Sequence, residues 1–239
     1  MKITTLPFAG SVLPKDINDK TVVVIDVLRA TSTMITALMH GAKQIFPVRE
    51  IDQAFDLKQR LSGKEVLLCG ERDAGIIPGF DLGNSPLEYT AERIRGKTLI
   101  FSTTNGTKAI ESVRNARKVL LGSFLNASAI AKQVQHEKEI VLLCSGTNGQ
   151  FSMDDAFCAA YITTQIKKKV LVKGCDLTNT LLLAYLNTLI NWADVVKNCH
   201  HSKLLICKGY EKDVDYCLQT SITNQVPRYN SQLESISSI

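Results

Sequence analysis

Thr21-Val22-Val23-Val24-Ile25-Asp26-Val27 is an apolar, β-branched run whose only charged residue is Asp26. Runs of this kind make strands buried on both faces of a parallel sheet, where neither face needs polar side chains. Just beyond it, Thr31 or Ser32 can cap a helix over Met34 to Met39, and Gly41 can end that helix before a short strand near Gln44 to Val48. One strand-helix-strand unit is therefore expected. The alternation continues with a helix from about Asp52 to Leu61 and strands at Val66 to Cys69, Thr98 to Ser102, Lys118 to Leu121 and Glu139 to Cys144. Helices are expected near Thr107 to Arg114, Ala127 to Gln135 and Asp155 to Lys167. This pattern predicts an α/β fold, a mostly parallel sheet covered by helices. Beyond Val172 the signal is more helical (Leu181 to Ile190, His201 to Lys208, Val214 to Leu218), and the Ser-rich end, Ser231 to Ile239, is expected to fray. With no Pro-rich linker and no internal repeat, residues 1–239 are read as a single domain.

The composition, 45% hydrophobic and 21% charged, belongs to a globular chain. Its net charge of +5 is dispersed, and the one dense run, Lys167-Lys168-Lys169, suits the end of a helix better than a nucleic-acid surface. Aromatic residues make up only 6% and do not interleave with basic ones, so nucleic acid is not expected as a partner. The N-terminal residues show no charged-then-apolar leader and no stretch reaches membrane-span length, which predicts a cytoplasmic protein without a membrane partner. Seven cysteines without metal-like spacing read as reduced, mostly buried thiols. A homo-oligomer is compatible with all of this.

Two apolar strand runs end in closely similar turns, Thr103-Thr104-Asn105-Gly106-Thr107 and Ser145-Gly146-Thr147-Asn148-Gly149. Hydroxyls and backbone N–H groups collected between a strand and a helix can hold a phosphate or similar anion. Asn-Gly is also a common turn pair, so one such turn would mean little. Neither turn matches a nucleotide-binding glycine motif. Ligands of open α/β sheets gather beyond the carboxyl ends of the strands. There the sequence puts Asp26, Arg29, Thr31 and Ser32, then Glu71 and Arg72, then the first turn, then the second turn followed by Asp154 and Asp155. Such a rim suits Mg²⁺, which prefers oxygen ligands. The 17-residue stretch Gly70 to Pro86, too long for an ordinary connection, is expected to be a functional loop.

Among phosphate chemistries, Asp26-Val27-Leu28 lacks the second aspartate of haloacid dehalogenase phosphatases, and no cysteine has an arginine six residues on. What survives is metal-activated water attacking a phosphate clamped by arginine and hydroxyls. His200 and His201 are adjacent and diverge by about 100° on a helix. His200 reads as a surface or capping residue, and His201 stays open as an acid or base.

Five segments, in this order and spacing, resemble the 2-phosphosulfolactate phosphatase family: Val24 to Thr33, Gly70-Glu71-Arg72, Gly79 to Pro86, Thr103 to Thr107, and Phe151 to Ala156. The resemblance runs from about Val22 to Pro227. It implies a Mg²⁺-dependent phosphatase that converts 2-phosphosulfolactate to 3-sulfolactate and phosphate, a step of coenzyme M biosynthesis. Cys199-His200-His201-Ser202 keeps the histidine of the family's Ser-x-His-Gly but not its flanking residues. Residues and resemblance together nominate Asp26, Arg29, Glu71 and Arg72 as catalytic, and Asp26, Glu71, Asp154 and Asp155 as candidate ligands of Mg²⁺. Asn84, Ser85, Thr104, Asn105, Gly106, Thr107 and Thr147 are nominated to bind substrate. The alternatives are a non-catalytic module for a phosphorylated or sulfonated metabolite and a phosphatase for another phosphorylated 2-hydroxy acid.

Overall fold

The computed structural model describes residues 1–61, 65–188 and 191–239. In chain order the first elements are β1 (Lys2–Leu6), α1 (Pro14–Ile17), β2 (Thr21–Ile25), α2 (Ala30–Met39), β3 (Gln44–Pro47), α3 (Ile51–Leu61), β4 (Val66–Arg72) and β5 (Gly75–Ile76). There follow α4 (Ala91–Ile94), β6 (Thr98–Ser102), α5 (Gly106–Ser112), β7 (Lys118–Gly122), α6 (Ala127–Val134), β8 (Glu139–Cys144) and α7 (Met153–Lys167). The last part holds β9 (Lys173–Gly174), α8 (Asp176–Asn187), α9 (Trp192–Lys197), α10 (His200–Cys207), α11 (Glu211–Cys217), β10 (Pro227–Asn230) and β11 (Ser235–Ser238). Of the expected helix Leu181 to Ile190, the last two positions lie outside the described residues.

The strands form one sheet in the order β5-β4-β6-β3-β11-β10-β7-β2-β8-β1-β9. The fold is therefore α/β, with a mostly parallel sheet, helices on its faces and a helical C-terminal portion. Two parallel blocks, β4-β6-β3 and β7-β2-β8-β1, are joined by the antiparallel hairpin β10–β11. This corrects the expectation of a frayed end: Ile236 is fully buried opposite Ile45, and Tyr229 pairs with Val119. The N-terminal residues, for which no strand was expected, pair with β8 from Lys2↔Glu139 to Leu6↔Leu143.

Every residue of β2 is buried, as the opening run requires. Because successive side chains point to opposite faces, Val23 and Ile25 pack under α6 and α7, while Val22 and Val24 join the cluster that holds Met34 of α2 and Ile110 of α5. α2 begins at Ala30, four residues earlier than expected, and Thr31 and Ser32 lie inside it. Asp26 takes over the capping, since its Oδ1 accepts the Ala30 N–H at 3.2 Å. Thr31 Oγ1 binds the Asp26 carbonyl and the Gly122 carbonyl, both at 2.8 Å, which ties the helix start to β2 and β7. Part of the expected long loop is ordered pairing: β4 runs on to Arg72 and folds back as β5. No helix among the described residues is long and apolar enough to cross a membrane.

Candidate active site

A cavity of about 220 Å³ opens beyond the carboxyl ends of β2, β4, β6 and β8. Its wall combines groups from both parallel blocks: Asp26 and Arg29 after β2, Glu71 at the end of β4, Thr103, Thr104 and Asn105 after β6, and Thr147 and Asn148 after β8. β2 and β6 are five positions apart in the sheet, yet a Cβ on Gly106 would stand 2.4 Å from Ala30 Cβ and 2.9 Å from Asp26 Oδ2. These two helix starts touch, and only glycine lets α5 begin there.

Asp26 is the acid at the centre. It is 6% exposed, and burial pushes its carboxyl up to about 6; nearby His201 opposes this and Asp154 adds to it. Glu71 is committed differently: Oε1 accepts the Thr104 N–H at 2.8 Å and Oε2 the Ala74 N–H at 3.0 Å. Asp155 mirrors it from behind the wall, accepting the Val27 N–H at 2.8 Å and the Gly146 N–H at 3.0 Å. Burial, then the charges of Asp154 and Asp26, pushes Asp155 well above the usual carboxylate range. Asp154, 1% exposed, accepts from the Ser152 hydroxyl and lies 3.3 Å from His201 Nδ1. Among the described residues no three acids, histidines or cysteines gather as a ready-made metal cage. Of the four nominated ligands, Asp26 and Glu71 reach the cavity, whereas Asp154 and Asp155 stand behind it.

Arg29 is 3% exposed and held on three sides. Nη1 donates to Asp213 Oδ2 at 2.6 Å, Nη2 donates to the Ala74 carbonyl at 2.8 Å, and the guanidinium lies 4.0 Å from the Tyr210 ring centroid. Ser85 does not line the cavity; its hydroxyl donates to Asp213 Oδ1 at 2.7 Å and so steadies the partner of Arg29. Arg72 also points away, donating to the Glu71 and Arg49 carbonyls at 2.8 and 2.6 Å. Asn84 lines the cavity with a buried Oδ1 that has no hydrogen-bond partner among the described residues. Buried polar atoms are rarely left this way, so the amide is a natural contact for a ligand. Thr107 closes the first turn on itself, its hydroxyl donating to the Thr103 carbonyl at 2.6 Å.

The opposite wall comes from α10. His201, Leu204 and Leu205 of α10 and Lys208, which caps its C-terminal end, line the cavity, a spacing of three, four and seven residues that puts them on one stripe. Lys208 Nζ donates to the Asp73 carbonyl at 2.5 Å. Lys208 and Asp213 were not nominated from the sequence. The helical stripe running from His201 was a legible signal for Lys208, but nothing local marks Asp213 as the partner of Arg29, 184 residues away.

A family model described as 2-phosphosulpholactate phosphatase matches residues 9–232. Among similar curated proteins, one from Thermotoga petrophila is 44% identical over 208 residues, covering 87% of this chain and 88% of its own length. Another, from Caldanaerobacter subterraneus subsp. tengcongensis, is 40% identical over 229 residues and covers 95% of both chains. A third, from Clostridium perfringens, is 40% identical and covers 100% of this chain and 98% of its own. All three carry the name probable 2-phosphosulfolactate phosphatase.

Proposed function

The chain belongs to the 2-phosphosulpholactate phosphatase family, and on that premise we propose that its cavity hydrolyses 2-phosphosulfolactate to 3-sulfolactate and phosphate. The enzyme is a phosphoric monoester hydrolase. The observation that carries the reading is the meeting of the α2 and α5 starts at Asp26, beside Arg29 and the first Thr-Asn-Gly turn. The substrate named for the relatives bears a phosphate, a carboxylate and a sulfonate. Arg29, held in place by Asp213 and Tyr210, presents its remaining N–H groups to one anionic group in a fixed orientation, and Lys208 meets another. Thr104 and Asn105 offer hydroxyl and amide contacts to the phosphate, and the unpartnered Asn84 Oδ1, an acceptor, suits a ligand group that donates a proton or a cation.

Asp26 and Glu71 would repel such a substrate unless a cation lies between, so the donor set suits Mg²⁺. That ion is commonly held by one or two carboxylates together with substrate oxygens and water. Asp26 is the carboxylate we assign to it, since both oxygens of Glu71 and of Asp155 are engaged by backbone N–H groups and those of Asp154 by Ser152 and His201. When bound, Mg²⁺ supplies charge neutralisation at the phosphate. Free thiols on all seven cysteines support a reducing, cytoplasmic setting. The test is phosphate release by purified protein from 2-phosphosulfolactate and a panel of other phosphomonoesters, with Mg²⁺ or with chelator. Turnover of 2-phosphosulfolactate that chelator abolishes is expected. Thermal stabilisation by the ester without any turnover would contradict the reading and leave a binding protein.

A further inference from the structure

Resting on that hydrolase reading, we propose that His201 is the general acid that protonates the leaving oxygen, and that Asp154 is its positioning residue. Nδ1 lies 3.3 Å from Asp154 Oδ2 and 3.2 Å from the Thr147 hydroxyl, while the ring forms part of the cavity wall. Nδ1 being spent, Nε2 is the nitrogen left to serve the cavity. An imidazole held at one nitrogen by a carboxylate has its tautomer and orientation fixed, and its protonated form is stabilised.

Asp154 is built for that task. It is 1% exposed, it does not line the cavity, and its other oxygen accepts from Ser152, whose hydroxyl lies 3.0 Å from that of Thr147. The second Thr-Asn-Gly turn, the start of α7 and the start of α10 thus converge on one imidazole. Around that ring stand Asp154 from α7, Asp26 after β2 and Arg29 before α2. Burial lowers the basicity of His201, but the Asp154 hydrogen bond and charge outweigh it and hold the ring above the ordinary histidine value. The reciprocal effect on Asp154 is downward: burial raises it, and His201 and Ser152 more than reverse that.

In the step itself, a water oxygen bonds to phosphorus while the bond from phosphorus to the ester oxygen breaks. The bonding pair stays on that oxygen, which takes the proton from Nε2 as the free alcohol forms. The attacking water gives up its own proton to solvent or to the imidazole, and the balance closes without any other reactant. An alkoxide is a poor leaving group, so proton delivery is worth about 10²–10⁴-fold.

The test compares His201→Asn, Asp154→Asn and wild type on 2-phosphosulfolactate across pH with Mg²⁺ present, after melting curves confirm that each variant is folded. Asparagine at 201 retains a donor for Asp154 but has no equivalent of Nε2. The expected result is a kcat lower by about 10²–10⁴-fold in His201→Asn, with little change in KM and loss of the alkaline limb of the profile. Asp154→Asn should retain that limb but move it to lower pH. The assignment is overturned by His201→Asn retaining kcat within about tenfold of wild type, by a loss confined to KM, or by a pH profile of unchanged shape. A wild type that releases no phosphate overturns the hydrolase reading and this assignment together, whereas an active wild type with an unaffected His201 variant overturns this assignment alone.

Discussion

The turns after β6 and β8 share Thr-Asn-Gly yet are put to different structural use. In the first, helix α5 begins at the glycine itself, and Glu71 accepts the Thr104 N–H, so the turn is pressed against Asp26 at the cavity. The second turns back on itself before any helix: Thr147 and Gln150 exchange backbone hydrogen bonds, and Gly146, Asn148 and Gly149 all take positive φ. Its N–H groups are consumed, Gly146 by Asp155 and Asn148 by Asn105 Oδ1 at 3.1 Å, the latter joining the two turns. Each turn is thus braced by a carboxylate that accepts two backbone N–H groups. The lesson is that a shared turn motif does not fix its use. Both turns spend N–H groups on neighbouring side chains, and the element that follows decides whether the turn lies against Asp26 or folds back on itself ahead of α7.

The largest way to break this contrast is Asp26→Ala, expected to lower phosphate release by about 10³-fold or more, in line with losing a central electrostatic group; retention within tenfold would remove Asp26 from the chemistry. Asp26→Asn has a second consequence, readable by chemical denaturation of metal-free protein. The folded carboxyl titrates near 6 and the unfolded one near 3.8, so the folded state binds the extra proton between those values. Stability is therefore highest below the unfolded value and is lost as pH rises through the folded one, by about 3 kcal/mol. Asp26→Asn should flatten that fall, and an unchanged slope would show that the burial cost lies elsewhere. The two braces come next. Glu71→Ala should cut turnover by about 10²-fold through a misplaced first turn, with a melting temperature near that of wild type because Thr104 and Ala74 are accessible enough for water to take the freed N–H groups. Asp155→Asn should show the smaller and opposite pattern, a stability loss of about 1–3 kcal/mol from an unmatched buried N–H with turnover close to wild type.

Much of the frame was legible because burial on two faces leaves a strong sequence trace. The observed β6 and β8 have the expected bounds, and β2 ends one residue before Asp26. The hairpin was not legible, since Pro227-Arg228-Tyr229-Asn230 and Ser235-Ile236-Ser237-Ser238 carry no apolar run. They become strands because β3 and β7 offer open edges on either side, which is tertiary information. The same limit separates the nominated groups. Asp26 and the first turn follow their strands directly and Glu71 stands at the end of β4, so position alone brought them to the cavity. Asp154 and Asp155 share the first turn of α7, where a rotation of about 100° per residue sends one carboxylate toward His201 and the other toward the Val27 and Gly146 N–H groups. Arg72 and Ser85 sit in the right segments but support neighbours instead of facing the cavity.

The most direct measurement of the contrast is kcat/KM on 2-phosphosulfolactate for Gly106→Ala beside Gly149→Ala, one substitution at the same place in each turn. A methyl at 106 would meet Ala30 Cβ and Asp26 Oδ2, whereas one at 149, where φ is +75°, meets nothing within 4 Å. A folded Gly106→Ala protein should lose about 10²-fold or more. Gly149→Ala should keep near-wild-type catalysis with a stability cost of about 1 kcal/mol. Equal losses in both, or a loss only at 149, would contradict that contrast.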